Sequence, residues 1–282
     1  MIKKDHLKRP ALPKAKKALG QHFLKDQFVV DALLDMMHIT PDDTVIEVGP
    51  GPGILTHALA RTCKRVMAIE LDRDMVHYLS QHLNEPNVHV HHGDILHTHL
   101  STLIKPFPAQ GVRIVSNLPY QISSPFLFHL VNQLDHITEI GLMLQKEVVE
   151  RLIAPVGSAH YGRLSVMMQF YFQTQDGPTV PPSAFIPPPR VDSALITLTP
   201  KPLSTAERGI AHNLGNVVKH AFSQRRKTVK NTLKPLFSIH ELDALGVDPG
   251  LRAEKITVTQ FVSLAHANHE KDKIDKIDEK EN

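Results

Sequence analysis

Four stretches of the chain carry residue types that can hold a ligand, and they recur at one spacing. Gly49, Gly51 and Gly53 stand in EVGPGPG, and Glu70, Asp94 and Asn117 follow at intervals of 21 to 24 residues. Glycines directly after an apolar run let the backbone turn tightly and approach a ligand that side chains would exclude. A carboxylate about 20 residues further on is placed to accept both ribose hydroxyls of an adenosine-containing cofactor. If each position ends a strand, all four line one edge of a sheet and converge on one crevice.

Two cofactor classes fit a glycine turn followed by such an acid: nicotinamide dinucleotides and S-adenosylmethionine. The fourth position separates them. A dehydrogenase needs a group that gives or takes a proton at an alcohol or carbonyl, and Asn117-Leu118-Pro119-Tyr120 supplies none. A sulfonium methyl is already electrophilic, so the nucleophile has only to be held with its lone pair free. Adenine's exocyclic amine is a poor nucleophile because its lone pair is delocalised into the ring. Acceptors for its N–H groups favour a pyramidal nitrogen, and the Asn117 side-chain oxygen and the Leu118 carbonyl are suited to that task. Pro119 fixes the backbone around that carbonyl. Tyr120 offers a flat face for the base, worth roughly 1 to 3 kcal/mol.

The elements that must position these residues are legible as alternating periods. Phe28, Val29, Ala32, Leu33, Met36 and Met37 fall on one helical stripe after an Asp26 cap, and TVIEV then reads as a buried strand. A helix with Ile54, Leu55, Ala58 and Leu59 precedes the strand VMAIE. A helix capped by Asp72 precedes VHVHH. VRIVSN and IGLMLQ are further strands, with a helix opening at Ser124-Pro125 between them. Such alternation predicts a doubly wound parallel sheet with helices on both faces. VDSALITLTP reads as a closing strand, and Pro200-Lys201-Pro202 as a linker. Beyond it Ser204 with Glu207, Ser238 with Glu241 and Thr257 with Gln260 each fit a capping box. The expected organisation is therefore a basic arm over 1–18, a catalytic domain over 19–200, a small helical domain over 203–268 and a disordered charged tail over 269–282.

At 282 residues, 41% apolar and 22% charged, the chain has the composition of an ordinary globular protein. No apolar run nears the roughly 20 residues that span a bilayer, and the basic N-terminus lacks a hydrophobic signal core, so a cytoplasmic location is expected. The single cysteine, Cys63, excludes an intrachain disulfide and a cysteine-rich metal site. The run HVHVHHGDILHTHL brings His89, His91, His97 and His99 close in sequence. With 19 histidines in the chain such runs arise readily, and no metal is assigned. The net charge of +3 conceals two basic clusters. One is the arm with Lys3, Lys4, Lys8, Arg9, Lys14, Lys16 and Lys17. The other, expected on a helix, holds Lys219, Arg225, Arg226, Lys227, Lys230 and Lys234. Two separated clusters of one sign suit a polyanionic partner.

With these residues in place the chain resembles the ribosomal RNA adenine dimethyltransferase family, and within it the small-subunit branch. The resemblance runs from Leu19 to about Leu264. It rests on LGQHFLKDQFVV, VIEVGPGPGILT, AIELDRDM, HGDIL, SNLPYQISSP, MLQKEVVERL, YGRLSVMMQF, PPSAFIPPPRVDSALI and HAFSQRRKTVKNTL, in family order. It implies a Rossmann-like class I methyltransferase domain with a small C-terminal helical domain. It further implies S-adenosylmethionine bound by His22, Leu24, Gly49, Gly51, Glu70, Asp94 and Asn117, with Asp94 on the cofactor's adenine amine. The target base falls to Asn117, Leu118 and Tyr120, with Phe185 stacking on its other face. His22 departs from the family's usual asparagine, although histidine also donates and accepts.

The implied reaction dimethylates two adjacent adenosines near the 3′ end of the small-subunit rRNA, by a monomeric enzyme working on the assembling small subunit. A base that must enter a pocket favours a loop or single strand. Arg225, Arg226, Lys227 and Lys230, with the arm, would hold phosphates in a salt-sensitive, sequence-independent way. Two alternatives share these residues: an RNA-binding assembly factor with incidental methylation, and the similar large-subunit methyltransferase that confers antibiotic resistance.

Overall fold

The computed structural model describes residues 11–103 and 111–281, with 275–281 as backbone only. Lys3, Lys4, Lys8 and Arg9 of the expected arm lie outside the described residues. Nine strands follow in chain order: β1 (Phe23–Leu24), β2 (Thr44–Val48), β3 (Arg65–Glu70), β4 (Val88–His92), β5 (Val112–Asn117), β6 (Ile137–Gln145), β7 (Phe172–Val180), β8 (Phe185–Ile186) and β9 (Ser193–Pro200). Seven form one sheet in the order β4-β3-β2-β5-β6-β9-β7, and β1 and β8 pair separately. The pairs from β4 through to β6 are parallel, and β9 runs antiparallel to β6. This is the Rossmann-like α/β fold the alternation predicts. Every residue of β2 is buried, as a central parallel strand covered on both faces requires.

Local signals set the helices between the strands. The Asp26 carboxylate accepts from the Phe28 amide to start the helix Gln27–Met37, and Asp72 accepts from Asp74 to start Arg73–His82. Two details differ from expectation. The helix before β6 runs Ser123–Val131, so Pro125 is its third residue, still inside the first turn where a missing N–H costs little. Phe28 does not join its neighbours' apolar stripe: Val30, Leu33 and Met37 are buried, whereas Phe28 is 86% exposed.

Strand β7 was not foreseen. Its sequence FQTQDGPTV is polar, carries a Gly-Pro pair and is mostly exposed, which an edge strand tolerates. The two-residue strands β1 and β8 are too short to leave a periodic signal.

Two compact units divide the chain, Met1–Val149 with Gln175–Pro200, and Glu150–Thr174 with Lys201–Asn282. The second unit thus takes residues 150–174, which a boundary at 200 would have assigned to the catalytic domain. The reason lies in the helix Arg163–Tyr171, whose Leu164, Val166, Met167, Met168, Phe170 and Tyr171 are all buried. A helix apolar on every side needs other helices around it, and it packs against Ala211–Ala221 and Val258–Glu281. The Tyr161 hydroxyl donates to the Ile256 carbonyl at 3.0 Å within the same unit.

The expected boxes are formed at Ser204/Glu207 and Ser238/Glu241, and Thr257 exchanges the same bonds with Gln260. The expectation of a disordered tail is corrected: Val258–Glu281 is one helix of 24 residues. Two of its charged residues meet other helices. Lys271 bonds Glu241 at 2.5 Å and lies over the Phe237 ring, and Asp272 accepts from Asn213 at 2.6 Å. The Lys271 contact, with the Ser238 bonds, holds the Glu241 carboxyl down at about 2.

Candidate active site

Strand order reverses between β2 and β5, both of which end at the same edge of the sheet. That reversal leaves a crevice beyond their carboxyl ends. The Ser116 hydroxyl on β5 donates to the Val48 carbonyl on β2 at 2.6 Å, tying the two ends together just below it. His22, Leu24, Gly49, Gly51, Glu70, Asp94, Asn117, Leu118 and Tyr120 all line this crevice. The recurring spacing therefore does bring the four strand ends into one place.

The glycine turn leaves β2 with φ of 66° at Gly49 and 54° at Gly51, a left-handed path that side chains disfavour. At Gly51 an added Cβ would also come within 3.3 Å of the Phe23 ring. Glu70 closes this turn from β3: its carboxylate accepts from the Gly51 amide at 3.4 Å and the Asp72 amide at 2.8 Å. Burial pushes the Glu70 carboxyl up, and those amides pull it part of the way back. Asp94 caps the turn after β4, accepting from Leu96 at 2.9 Å and facing His97 Nδ1 at 3.0 Å.

On the β5 side the Asn117 amide group donates to the His22 carbonyl at 3.0 Å, and its Oδ1 has no partner among the described residues. Leu118 is buried and its N–H donates to the Met143 carbonyl. Tyr120 stacks on the His22 ring at 5.6 Å between centroids, and its hydroxyl lies 2.6 Å from Ser193 Oγ. His22 Nδ1 is 2.8 Å from the Pro187 carbonyl, so that nitrogen carries the proton.

Phe185 is not brought to the crevice. It pairs with Leu24 across β1 and β8, is 1% exposed and belongs to the core that includes Val30, Leu33 and Val115. The structure therefore offers no open face of Phe185 to a base.

Two features of the crevice escaped the sequence reading. Glu47, the fourth of the five residues of β2, lines the crevice yet is 1% exposed, and its Oε2 has no hydrogen-bond partner among the described residues. Burial pushes its carboxyl up to about 8, with Glu70 adding to the rise, so it is neutral at pH 7. An acid inside the apolar run TVIEV was the available signal. The second feature is a strap. Lys16 Nζ contacts Asp72 at 2.5 Å and Asp74 at 2.7 Å, and Gln21 donates to Asp72 at 3.1 Å, which holds the segment before β1 over the glycine turn. Burial raises the Asp72 carboxyl, but these bonds prevail and leave it below its usual value, with the Lys16 ammonium raised in turn.

Comparison with known proteins places the chain in a family. Residues 13–269 match the ribosomal RNA adenine dimethylase family. The chain is 43% identical over 253 residues to the ribosomal RNA small subunit methyltransferase A of Yersinia pestis, covering 89% of this chain and 93% of that one. The chain belongs to the ribosomal RNA adenine dimethylase family. A dimethyladenosine transferase from Plasmodium falciparum superposes with a TM-score of 0.74 at 27% identity, covering 86% of this chain and 96% of that one. The 23S rRNA methyltransferase ErmE shares the fold, with a TM-score of 0.67 at 24% identity over 88% and 99% of the two chains.

Members of the ribosomal RNA adenine dimethylase family are S-adenosylmethionine-dependent methyltransferases, and the crevice of this member fits that cofactor on its own evidence. The left-handed glycine path runs close against Phe23 where a Cβ would crowd, and the Glu70 carboxylate faces that path.

The second basic cluster lies in the other unit of this dimethylase. Arg225, Arg226 and Lys227 occupy the turn between the helices Ala211–Ala221 and Val229–Thr232, and Lys230 is on the second of these. A continuous basic helix is thus replaced by a turn, because the first helix ends at Ala221 with Phe222 as its cap. All four are exposed, and Arg225 donates to the Ala159 carbonyl at 3.1 Å. Among the described residues no three His, Cys, Asp or Glu side chains gather to hold a metal, and no helix is long and apolar enough to cross a membrane.

Proposed function

We propose that this chain transfers methyl groups from S-adenosylmethionine to the exocyclic amines of two adjacent adenosines near the 3′ end of the 16S rRNA. In this reading it acts in the cytoplasm, as a monomer, on the assembling small subunit. The observation that carries the proposal is Asn117, whose Oδ1 stands without a partner at the switch point beside the stacking ring of Tyr120. The name of the Yersinia relative and the identity to it support the small-subunit assignment.

Within this mechanism the chain's own residues have separate tasks. Gly49 and Gly51 give the backbone its close approach, Glu70 accepts ribose hydroxyls, and Asp94 accepts from an adenine amine. Leu24 and His22 cover the crevice from the side of β1. When bound, the cofactor supplies an electrophilic methyl group. Asn117 Oδ1 and the Leu118 carbonyl accept hydrogen bonds from the target amine, and Tyr120 holds the base by stacking. Asn117 keeps its oxygen turned to the crevice because its nitrogen is committed to the His22 carbonyl. The amine must shed a proton after each transfer, and the open rim of the crevice allows water to take it. Arg225, Arg226, Lys227 and Lys230 neutralise phosphates of the RNA.

The test is to incubate the protein with labelled S-adenosylmethionine and small subunits lacking the modification, then map the label. Two dimethylated neighbouring adenosines near the 3′ end are expected. Label on large-subunit RNA would instead favour the resistance branch, and no label at all would leave the assembly-factor reading.

A further inference from the structure

The loop between β8 and β9 is fastened at both ends to residues of the crevice. Pro187 accepts from His22, and Ser193 bonds Tyr120. Ile186, at the end of β8 just before the first tie, is 54% exposed, and Val191, between the ties, is 46% exposed. A third exposed apolar group follows closely on a tie to the segment just before β8. The Lys25 amide donates to the Ala184 carbonyl at 2.9 Å, and Phe28 follows three residues later, about 10 Å of chain at most. Phe28 is the most exposed large apolar side chain among the described residues. The Asp26 cap keeps it there by fixing the first turn of its helix, and Lys25 and, in the loop, Arg190 are exposed. One carboxylate of the loop, Asp192, is exposed with them.

A single exposed leucine needs no explanation, but a phenylalanine ring left 86% exposed at a capped helix start, three residues from a cation whose amide is bonded to the Ala184 carbonyl just before β8, does. Aromatic faces with interleaved cations are how proteins hold single-stranded nucleic acid. We propose that this face, with Phe28 as its stacking platform, binds the RNA nucleotides flanking the target adenosine as the strand runs into the crevice. The proposal rests on the reading of the crevice as the target-base site. It differs from the Arg225 cluster in kind, since stacking adds little to the salt dependence of binding. Because the loop is tied to His22 and Tyr120, a base seated on it also presses on the two residues that frame the target.

Phe28→Ala tests this with little risk to folding, because the ring makes no buried contact. Binding to small subunits lacking the modification should weaken about tenfold, with KM for the subunits raised and kcat and S-adenosylmethionine affinity near the parent's. Phe28→Tyr should restore binding, and Ile239→Ala, an exposed apolar residue of the other unit, should leave it unchanged. A photoreactive phenylalanine analogue at position 28 should crosslink to rRNA next to the methylated bases. Parent affinity in Phe28→Ala, or a crosslink to ribosomal protein instead, overturns the inference while the proposed activity stands. A parent protein that neither binds nor methylates small subunits overturns both.

Discussion

The two sides of the crevice are built by different means. On the side of β2 to β4 the carboxylates are fixed by their own neighbourhood: Glu70 accepts from Asp72 and Asp94 from Leu96, each two residues on. On the side of β5 every tie is long: Asn117 reaches His22 across 95 residues, Tyr120 reaches Ser193 across 73, and His22 reaches Pro187 across 165. The first side thus rests chiefly on local turns, supplemented by Gly51 reaching Glu70 across 19 residues and by the strap from Lys16 and Gln21 to Asp72 across 56 and 51. The second exists only when β1, β5 and the loop before β9 have come together. The cofactor's place can therefore survive damage to the target's place, and the two should separate by mutation.

The sharpest separation is expected at Asn117. Asn117→Ala removes the acceptor and frees the His22 carbonyl, so methyl transfer should fall about 100-fold or more, by analogy with loss of one preorganised transition-state hydrogen bond. S-adenosylmethionine affinity should change far less. Single-turnover methylation beside calorimetric titration reads both, and equal losses in the two would erase the distinction between the sides.

Glu70 is the reciprocal case. Loss of two hydrogen bonds to a buried carboxylate costs about 2 to 4 kcal/mol, so Glu70→Ala should weaken S-adenosylmethionine about 30- to 1,000-fold while small-subunit binding is kept. Because Glu70 also accepts from two backbone amides, Glu70→Gln serves as the variant that retains the shape. Unchanged cofactor affinity in both would remove Glu70 from the site.

The same contrast explains what was legible in the sequence. Gly49, Glu70, Asp94 and Asn117 were found because a strand-helix period returns the chain to one edge of the sheet, and that period is local. Phe185 could not be placed the same way, since no spacing tells which of two faces a residue on a two-residue strand presents, and the ties of Pro187 and Ser193 to the crevice span 165 and 73 residues. Phe28 failed for a related reason: the stripe it seemed to join is real, but the capped first turn rotates it outward. The 269–281 helix was misread because its charges looked solvated, and only the fold shows Lys271 and Asp272 meeting Glu241 and Asn213. The helix Arg163–Tyr171 went to the wrong unit because an apolar run does not name the partners it is buried against.

Glu47 probes the β2 side from within, as a crevice carboxyl with an oxygen that no neighbour engages. Its carboxyl stays protonated up to about 8 in the folded chain and ionises near its ordinary value when unfolded. Between those values the folded state holds the extra proton, so stability falls as pH rises through that window and levels off above it. Near 1.4 kcal/mol per pH unit, the loss between pH 6 and 7.5 is about 2 kcal/mol. Glu70 on β3 contributes with the same sign, and the Thr56 hydroxyl and Cys63 thiol are the other groups beside Glu47. The comparison is therefore between Glu47→Gln and the parent. The variant should lose less stability over that interval in urea titrations, and an identical pH profile would show that Glu47 is ionised in the folded chain.

The smallest effect is expected in the other unit, in the turn that holds Arg225 and Arg226. Neither side of the crevice depends on these residues, so Arg225→Gln with Arg226→Gln should leave S-adenosylmethionine affinity and the methylation rate at saturating RNA near the parent's. What should change is how RNA binding responds to salt. Two phosphate contacts fewer means two fewer released counterions, which flattens the slope of log affinity against log salt by about 1.5. Phe28→Ala, in contrast, should lower affinity at every salt concentration and keep the parent slope, because stacking releases no counterions. If the Arg225 and Arg226 changes leave the slope intact, the turn is a solvated surface and the phosphate contacts must be sought on the catalytic unit, around Lys25 and Arg190.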